Sequence, residues 1–379
     1  MLRNAVDLYE AIEAGRRPSV LDVRNSEEHA RWKIEGPGRI DALHVPYFAF
    51  IDDEASAVSK VKAWKSKLPG DLTVVCAKGD SSAFVAEILR ASGVAAVNLE
   101  GGMAAWGAAS VVKPLAGHAS IRAWQVYRFG KGCLSYLVAA GRDALVVDPH
   151  RRIDAYRSAL DKLGLVLRGV FDTHLHADHL SGARALSAAA GVPYFANSLD
   201  FAGASFDYTP VRDGQGLSLG ELRVAPISFL HAPGHTPGST LLLVNDTFLL
   251  TGDTLFVGSI GRPDLGGRAR EWAHDLYRTL TVRMARLAGG VRVLPAHTGG
   301  PGELGADGTV GEGLETLRHR IALLRMGEGE FVQAILDGVA PAPAAYDTIR
   351  LLNLGAAEAS EEELVEMELG RNECALARR

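Results

Sequence analysis

The sequence has few cysteines and no long apolar run, and these absences narrow the class of protein. Three cysteines scattered over 379 residues are too few for a disulfide framework, so we expect a reducing compartment and a cytoplasmic protein. The apolar runs are far shorter than the roughly 20 residues of a membrane span, and the N-terminus lacks a signal-peptide core. The net charge of −5, with both signs interspersed, argues against a nucleic-acid partner.

The length of the chain predicts two or three domains, and the pattern changes along it. Within residues 1–112 the order strand, helix, strand implies parallel pairing with a right-handed crossover, as in an α/β domain. Residues 113–120 contain proline and glycine without clear periodicity, which indicates a linker. Residues 121–355 alternate strands, among them Leu222–Ile227, with helices, and this predicts a sheet sandwich flanked by helices.

The last segment, residues 356–379, is rich in acidic residues. Ser360, followed three residues later by Glu363, forms a capping box that opens a helix. We expect this tail to be helical and solvated.

A cluster of potential metal ligands follows an apolar strand of the second domain. It reads His174-Leu175-His176-Ala177-Asp178-His179. Extended residues two apart point the same way, so His174 and His176 can face one pocket. A single histidine here would be interpreted as a satisfied surface residue. Four such side chains at this spacing predict a site for zinc, iron or manganese.

Three further ligand candidates follow strands or turn-rich segments. His235 lies in the loop Pro233–Gly238, Asp253 follows the strand Phe248–Leu250, and His297 closes a buried apolar run. Taken alone, each would be a loop or turn residue. Taken together, in this order after strands, they complete the predicted metal site.

The order HxHxDH…H…D…H resembles the metallo-β-lactamase superfamily over roughly Ile121–Asn353, and it implies an αββα sandwich. Two glutathione-linked branches fit: the hydroxyacylglutathione hydrolases, which use two metals, and the persulfide dioxygenases, which use one iron. All seven superfamily positions are present, so the ligand set leaves both branches open. Gly261-Arg262-Pro263-Asp264 resembles the Gly-Arg-x-Asp motif of the dioxygenases, whereas the hydrolases typically carry Gly-Arg-Phe-Phe-Glu.

The resemblance implies one Fe(II) per chain, held by His174, His235 and Asp253. Such a facial triad leaves three positions for substrate sulfur and dioxygen. Four more side chains are implied to orient ligands and water or to hold a second metal: His176, Asp178, His179 and His297. Arg262 is a candidate contact for an anionic substrate, with a salt bridge to Asp264 as the alternative.

The segment after His297 departs from both branches. It reads Thr298-Gly299-Gly300-Pro301-Gly302, where the relatives commonly have Asp-Tyr. Because that loop helps to hold the thiol carrier in the relatives, the identity of the carrier stays open.

A cysteine ends a buried strand of the first domain. Cys76 precedes a loop and a helix N-terminus, which favours a thiolate, while packing as a small hydrophobe is the alternative. The motifs Leu21-Asp22-Val23-Arg24 and Glu100-Gly101-Gly102-Met103-Ala104-Ala105-Trp106 resemble a rhodanese domain over about Ala5–Gly107. In that family the loop cysteine carries sulfane sulfur as a persulfide, and Cys76 matches its position.

The cysteine loop departs from the usual rhodanese pattern Cys-Arg-x-Gly-x-Arg-Ser/Thr. Ala77 and Ser81 replace both arginines, which leaves Lys78 as the loop's only cation and a candidate substrate contact. Thiosulfate is a dianion, so we expect weak thiosulfate transfer. Transfer from another persulfide donor and an inactive domain both stay open.

The other two cysteines are predicted to carry no chemistry. Cys133 lies at a strand start and is expected to pack, whereas Cys374 lies in a charged tail and is expected to be exposed.

Together the motifs predict an iron-dependent persulfide dioxygenase fused to a sulfurtransferase-like domain and acting in sulfide detoxification. Its partners would be a thiol persulfide such as glutathione persulfide, O₂, and a thiol that donates or accepts sulfur. The alternatives are a binuclear thioester hydrolase with a rhodanese-like binding module, and a docking role for the first domain. A homodimer is also open, since dimers are common among the relatives.

Overall fold

The computed structural model describes residues 1–117, 120–224, 226–264, 266–338, 345–371 and 374. The chain divides into two units, the first formed mainly by residues 1–111 and the second mainly by residues 112–368. No helix in the described ranges is both long and apolar enough to cross a membrane.

The first unit is a parallel sheet with helical crossovers. Its strands are β1 Leu2–Arg3, β2 Ser19–Asp22, β3 Asp41–His44, β4 Leu72–Val75 and β5 Ala96–Leu99. Its helices are α1 Ala5–Glu13, α2 Ser26–Arg31, α3 Tyr47–Asp52, α4 Glu54–Lys65, α5 Asp80–Ala91 and α6 Gly102–Ala108. The strand order is β1-β5-β4-β2-β3, and all four neighbouring pairs are parallel, as predicted for β4 and β5.

The second unit contains two sheets. The seven-stranded sheet has the order β12-β11-β10-β9-β8-β7-β6, built from β6 Val111–Leu115, β7 Arg122–Arg128, β8 Cys133–Ala140, β9 Asp143–Val147, β10 Val166–Phe171, β11 Tyr194–Ala196 and β12 Thr209–Pro210. The five-stranded sheet has the order β13-β14-β15-β16-β17, built from β13 Ile227–His231, β14 Thr240–Val244, β15 Phe248–Gly252, β16 Arg292–Pro295 and β17 Glu312–Gly313.

The second unit contains eight α-helices among the described residues. They are α7 Asp154–Leu163, α8 Ala183–Ala190, α9 Ser198–Phe201, α10 Ala269–Arg278, α11 Leu314–Arg320, α12 Glu328–Gly338, α13 Ala345–Asn353 and α14 Glu361–Met367. The seven-stranded sheet packs on α7 and α8, and the five-stranded sheet packs on α10, α11 and α12.

The alternating direction of the side chains along β10 shows how the two sheets face each other. Val170 lies in the cluster that packs on the helices, so the next residue, Phe171, points to the opposite face. There its ring meets Phe229 of β13 edge to face, with centroids 5.0 Å apart. Burying each ring stabilises the fold by about 1.5–3 kcal/mol. The predicted αββα sandwich is confirmed.

The prediction of a strand over Leu222–Ile227 is wrong. Gly220–Val224 form a 3-10 turn, and β13 begins at Ile227. Glu221 explains the turn, because its carboxylate accepts the Arg142 N–H at 2.7 Å and its own N–H donates to Asp143 Oδ2 at 2.7 Å. These contacts hold the segment against the start of β9.

The predicted linker and tail both differ from the structure. β6 takes up the first part of residues 113–120, of which 118–119 lie outside the described residues. The capping box at Ser360 is confirmed, but the tail is not simply solvated. Arg151 pairs with Glu361 at 2.8 Å and with the buried Glu368 at 2.9 Å, and these ion pairs hold α14 against the second unit. Residues 372–373 and 375–379 of the tail lie outside the description.

Candidate metal centre

The predicted metal ligands lie just after strands of the two facing sheets. His174 follows β10, His235 follows β13, Asp253 follows β15 and His297 follows β16. β15 and β16 are parallel, so their carboxyl ends reach the same edge and bring Asp253 beside His297. All four side chains belong to residues at most 2% exposed.

His174, His235 and Asp253 converge on one point. Asp253 Oδ2 lies 3.7 Å from Nε2 of both histidines, and the three ligand atoms lie within 4.8 Å of one another. Asp253 Oδ2 and His174 Nε2 are buried and form no hydrogen bond with any described residue. Burying such atoms without a partner costs free energy, which a bound cation would offset. Two atoms that each lie about 2 Å from one ion are at most about 4 Å apart, and the carboxylate oxygen meets this limit with both histidines, so this set fits a metal.

A second group surrounds His297. Its Nδ1 lies 2.7 Å from Asp253 Oδ1, and its Nε2 lies 2.8 Å from Asp178 Oδ2. Burial lowers the pKa of His297, but Asp178 and Asp253 outweigh burial and hold this pKa well above its usual range. His179 Nδ1 lies 3.1 Å from Asp178 Oδ1, and the sulfur of Cys133 lies within 4.8 Å of the ligand atoms of this group.

His176 is held by carboxylates that motif reasoning missed. Its Nε2 lies 3.2 Å from Asp148 Oδ1 and 3.9 Å from Asp172 Oδ1. Burial lowers the pKa of His176, but Asp148, Asp172 and Asp178 together outweigh it and the pKa rises to about 9. Asp148 also accepts the backbone N–H of Thr173 at 2.7 Å and its hydroxyl at 2.9 Å. A sequence signal existed, because Asp148 ends a buried strand just as Asp253 does.

Asp200 ties two ligand loops together. It accepts the N–H of Leu175 at 3.0 Å, the N–H of Gly238 at 2.6 Å and the hydroxyl of Thr236 at 2.7 Å. The loops that carry His174 and His235 are thereby held in one arrangement. The sequence carries no local signal for this role.

Asn353, the last residue of α13, fixes the histidine cluster from the other side. Its amide donates to the carbonyls of His176 at 2.9 Å and His179 at 3.0 Å. Its side-chain oxygen accepts the N–H of Ser181 at 2.9 Å. Sequence reasoning missed Asn353 as well.

The Gly-Arg-Pro-Asp segment supports the metal ligands through its backbone. Arg262 donates to Asp264 through two nitrogens, at 2.8 and 2.6 Å, so the geometry favours the salt-bridge alternative over a substrate contact. The Arg262 carbonyl lies 2.8 Å from His235 Nδ1, which leaves Nε2 for a metal. A Cβ at Gly261 would collide with the Asp253 carbonyl.

The expectation that Cys374 is exposed is wrong. The residue is fully buried, and its sulfur lies within 4.8 Å of ligand oxygens of Asp178 and Asp253. Its carbonyl accepts the Arg262 N–H at 3.1 Å. The buried Glu368, which precedes Cys374 in the tail, is held by its ion pair with Arg151 at 2.9 Å.

The cysteine site of the first unit is compact. Cys76 is 6% exposed and follows β4, and its sulfur accepts the Gly79 N–H at 3.0 Å. The Ser82 hydroxyl lies 3.1 Å from the sulfur, but its single proton has a closer acceptor in Asn98 Oδ1 at 2.6 Å. Gly102 has a φ of +57°, and a Cβ there would collide with the Cys76 carbonyl, which explains the second glycine of the Glu-Gly-Gly motif. Lys78 is exposed in this loop. A backbone donor on the sulfur suits an anionic sulfur species.

Comparisons with known proteins match both units. The metallo-beta-lactamase superfamily profile matches residues 128–317, and the rhodanese-like domain profile matches residues 4–109. A hydroxyacylglutathione hydrolase of Anaeromyxobacter dehalogenans is 39% identical over 175 residues, which are 45% of this chain and 63% of that protein. The mitochondrial persulfide dioxygenase ETHE1 of Bos taurus is 32% identical over 160 residues, 41% of this chain and 59% of that protein.

Among solved structures, ETHE1 from Myxococcus xanthus is similar with a TM-score of 0.53 and 25% identity, covering 65% of this chain and 99% of that one. The chain spans less than two thirds of the length of the two curated relatives named above. The profile match and the metal-ligand geometry agree. The chain belongs to the metallo-beta-lactamase superfamily of enzymes and carries a rhodanese-like domain ahead of its metal-binding domain.

Proposed function

We propose that the second unit is an iron-dependent persulfide dioxygenase. A low-molecular-weight thiol persulfide, O₂ and water would give sulfite and the free thiol. The proposal rests on the placement of the two carboxylate oxygens of Asp253. One carboxylate oxygen faces His174 and His235, while the other lies 2.7 Å from His297.

Buried His179 Nε2 and His297 Nε2 form no hydrogen bond in the described residues, as His174 Nε2 does not, so the unpartnered atoms alone fit one ion or two. The resemblance of Gly261-Arg262-Pro263-Asp264 to the dioxygenase motif favours one ion. In a two-metal hydrolase Asp253 would bridge the ions and His297 would bind the second. Here His297 lies between two carboxylates, with Asp253 Oδ1 on one nitrogen and Asp178 Oδ2 near the other. The remaining set of two histidines and one carboxylate is the facial triad of non-heme iron oxygenases. The similarity to ETHE1 proteins supports the same choice.

Bound at the triad, iron would let the persulfide sulfur and dioxygen react at one centre. Other residues of the chain orient the side chains of that centre through hydrogen bonds. Arg262 fixes the tautomer of His235 through its carbonyl, and Asp148 fixes Thr173 and His176 beside His174. We propose that substrate enters through a cavity of about 210 Å³ whose lining includes Leu175, Ala177, Thr236 and Pro237, the neighbours of the ligands.

For the first unit we propose exchange of sulfane sulfur at Cys76. A persulfide and the Cys76 thiol would give a free thiol and a Cys76 persulfide, with no net oxidation. Donation from the Gly79 N–H supports an anionic sulfur at this position. The loss of both loop arginines favours a persulfide donor over thiosulfate.

A two-metal thioester hydrolase is the second candidate. Its support is the 39% identical relative and the buried second group of Asp178, His179 and His297. Metal content separates the candidates, with about one iron per chain for the dioxygenase and about two ions for the hydrolase.

The decisive assay is oxygen uptake by iron-loaded full-length protein given glutathione persulfide, with sulfite measured in parallel and lactoylglutathione as the alternative substrate. We expect uptake matched by sulfite, and its loss in His235→Ala. His319→Ala, at an exposed histidine of α11, is the matched control and should keep full uptake. Thioester cleavage without oxygen uptake, together with two ions per chain, would establish the hydrolase instead.

A further inference from the structure

A cavity of about 770 Å³ lies within the second unit, between the five-stranded sheet and the chain that follows α10. Its floor includes Leu230 of β13 and Leu241 of β14, which are directly paired across the two strands. The neighbouring Phe229 meets Phe171 of the other sheet. By alternation, the two leucines therefore point to the opposite face, which packs on α10. The cavity thus has an apolar floor.

The helical winding of the chain changes along the cavity wall. Thr279–Arg283 form a π-helical turn and Met284–Arg286 form a 3-10 turn, in place of further α-helix. Met284 and Leu287 line the cavity, and the half-exposed Val282 lies at its mouth. Short π-helical turns are frequent at functional sites. The volume also falls within the range of about 300–1,000 Å³ that is typical of small-molecule sites.

Arginines surround this apolar cavity. Its lining contains three arginines and one carboxylate, namely Arg278, Arg283, Arg286 and Asp213. Arg283 pairs with Asp213 at 2.9 Å, whereas Arg278 pairs only loosely within its own helix, at 3.9 Å. The guanidinium of Arg286 forms no ion pair or hydrogen bond within the described part of the chain. With His231 neutral, the lining carries an excess of two positive charges in a chain whose net charge is −5.

We propose that this cavity binds an amphipathic anion, a carboxylate with an unbranched apolar chain such as a medium-chain fatty acid. The apolar chain would lie on Leu230, Leu241 and Met284, where burying each methylene strengthens binding by up to about fourfold. The carboxylate would lie at the mouth, where Arg278 and Arg286 lack a close counter-charge and attract it. A small inorganic anion would leave the floor in contact with water, and a neutral apolar ligand would leave both arginines without a partner. This site shares no residue with the predicted metal centre.

The test is isothermal titration calorimetry of the full-length protein with decanoate. We expect one decanoate per chain, and about tenfold weaker binding of octanoate, because octanoate buries two methylenes fewer. Decanol has the chain without the charge, and acetate has the charge without the chain. Each should bind at least tenfold more weakly than decanoate. No binding of decanoate, or binding of decanol as tight as that of decanoate, would overturn the proposal.

Val282 allows the charge at the mouth to be changed with little effect on folding, because its side chain is half-exposed. Val282→Glu should weaken decanoate binding about fivefold, whereas Val282→Lys should preserve or strengthen it. Arg286→Gln should weaken it about threefold. Arg270→Gln, at an exposed arginine of α10 outside the cavity lining, is the matched control and should leave it unchanged. Equal affinities in the two Val282 variants would contradict the proposal.

A second copy of the chain is the alternative occupant of the cavity. Sedimentation velocity distinguishes the two, since we expect decanoate to leave the sedimentation coefficient unchanged. A dimer that decanoate dissociates would mean that the cavity is an interface between copies, and this result would reject a dedicated site for the anion. None of these measurements uses metal, persulfide or oxygen. Failure of this proposal is thus separate from failure of the dioxygenase assay.

Discussion

The two units hold sulfur-related sites that are built in different ways. In the first unit the polar groups nearest the Cys76 sulfur belong to Gly79 and Ser82, which lie within six positions along the chain. In the second unit the centre draws on side chains from Asp148 to Cys374, delivered by both sheets and by two C-terminal segments. The first site is set by one loop, so it depends on local backbone geometry. The second depends on the packing of a whole unit.

The largest expected effect comes from removing the Cys76 sulfur of the first unit while leaving the second unit unchanged. Cys76→Ser removes the nucleophilic sulfur, so we expect complete loss of persulfide formation on the protein, measured by mass spectrometry after incubation with glutathione persulfide. Iron content and oxygen uptake should stay at wild-type values. A parallel fall in oxygen uptake would show that the two sites do not act independently.

Low pH should destabilise the first unit through the buried ion pair of Arg24 with Asp22, the last residue of β2. Arg24 donates to Asp22 at 2.6 Å, and both side chains are nearly inaccessible. Burial raises the pKa of Asp22, but Arg24 outweighs burial and lowers this pKa below its ordinary value of 3.8. The pair therefore stabilises the folded unit above pH 4, and this contribution is lost as pH falls through the lowered pKa.

Asp22→Asn should cost about 3–5 kcal/mol at pH 7, because it leaves Arg24 buried without its counter-charge. Below pH 4 the difference from wild type should shrink. Hydrogen exchange of β2 amides across this pH range measures both effects. Asp41→Asn removes a pair with the half-exposed Arg17 and should cost less than about 1 kcal/mol. Equal costs for the two variants would contradict the argument from burial.

The metal centre of the second unit is built from distant segments of the chain. We therefore expect a residue outside the predicted ligands to affect metal affinity. Asp148→Asn weakens the hold on His176 and Thr173, so metal affinity should fall about 10–100-fold, measured by chelator competition. Asp143→Asn is the control on the same strand, since Asp143 pairs with Arg168 at 2.7 Å. An unchanged affinity in Asp148→Asn would mean that the ligands are placed without this support.

The sequence predicted the side chains that the structure brings together at the candidate metal centre, but only part of what holds them. His174, Asp253 and His297 each follow a buried strand, and strand ends can be read from a short window. Asp148 carried the same signal and was overlooked. Asn353 carried none, because its role is created by contacts to residues more than 170 positions away.

Cys374 shows a related limit. A charged tail is usually solvated, and composition alone predicts exposure. The ion pairs of Arg151 with Glu361 and Glu368 reverse that outcome, and they join residues more than 200 positions apart. The strand predicted over Leu222–Ile227 failed for the same reason, since Glu221 bonds to residues 78 and 79 positions away.

The contacts of Asn353 also have a consequence for the order in which parts of the chain fold. The loop of His176 and His179 receives two of its hydrogen bonds from a residue that lies 177 and 174 positions further along the chain. Closing so large a loop costs entropy before any contact repays it, so such contacts form late during folding. We therefore expect the histidine loop to reach its final geometry only after α13 has docked. Refolding followed by metal capture should show uptake as the last kinetic phase.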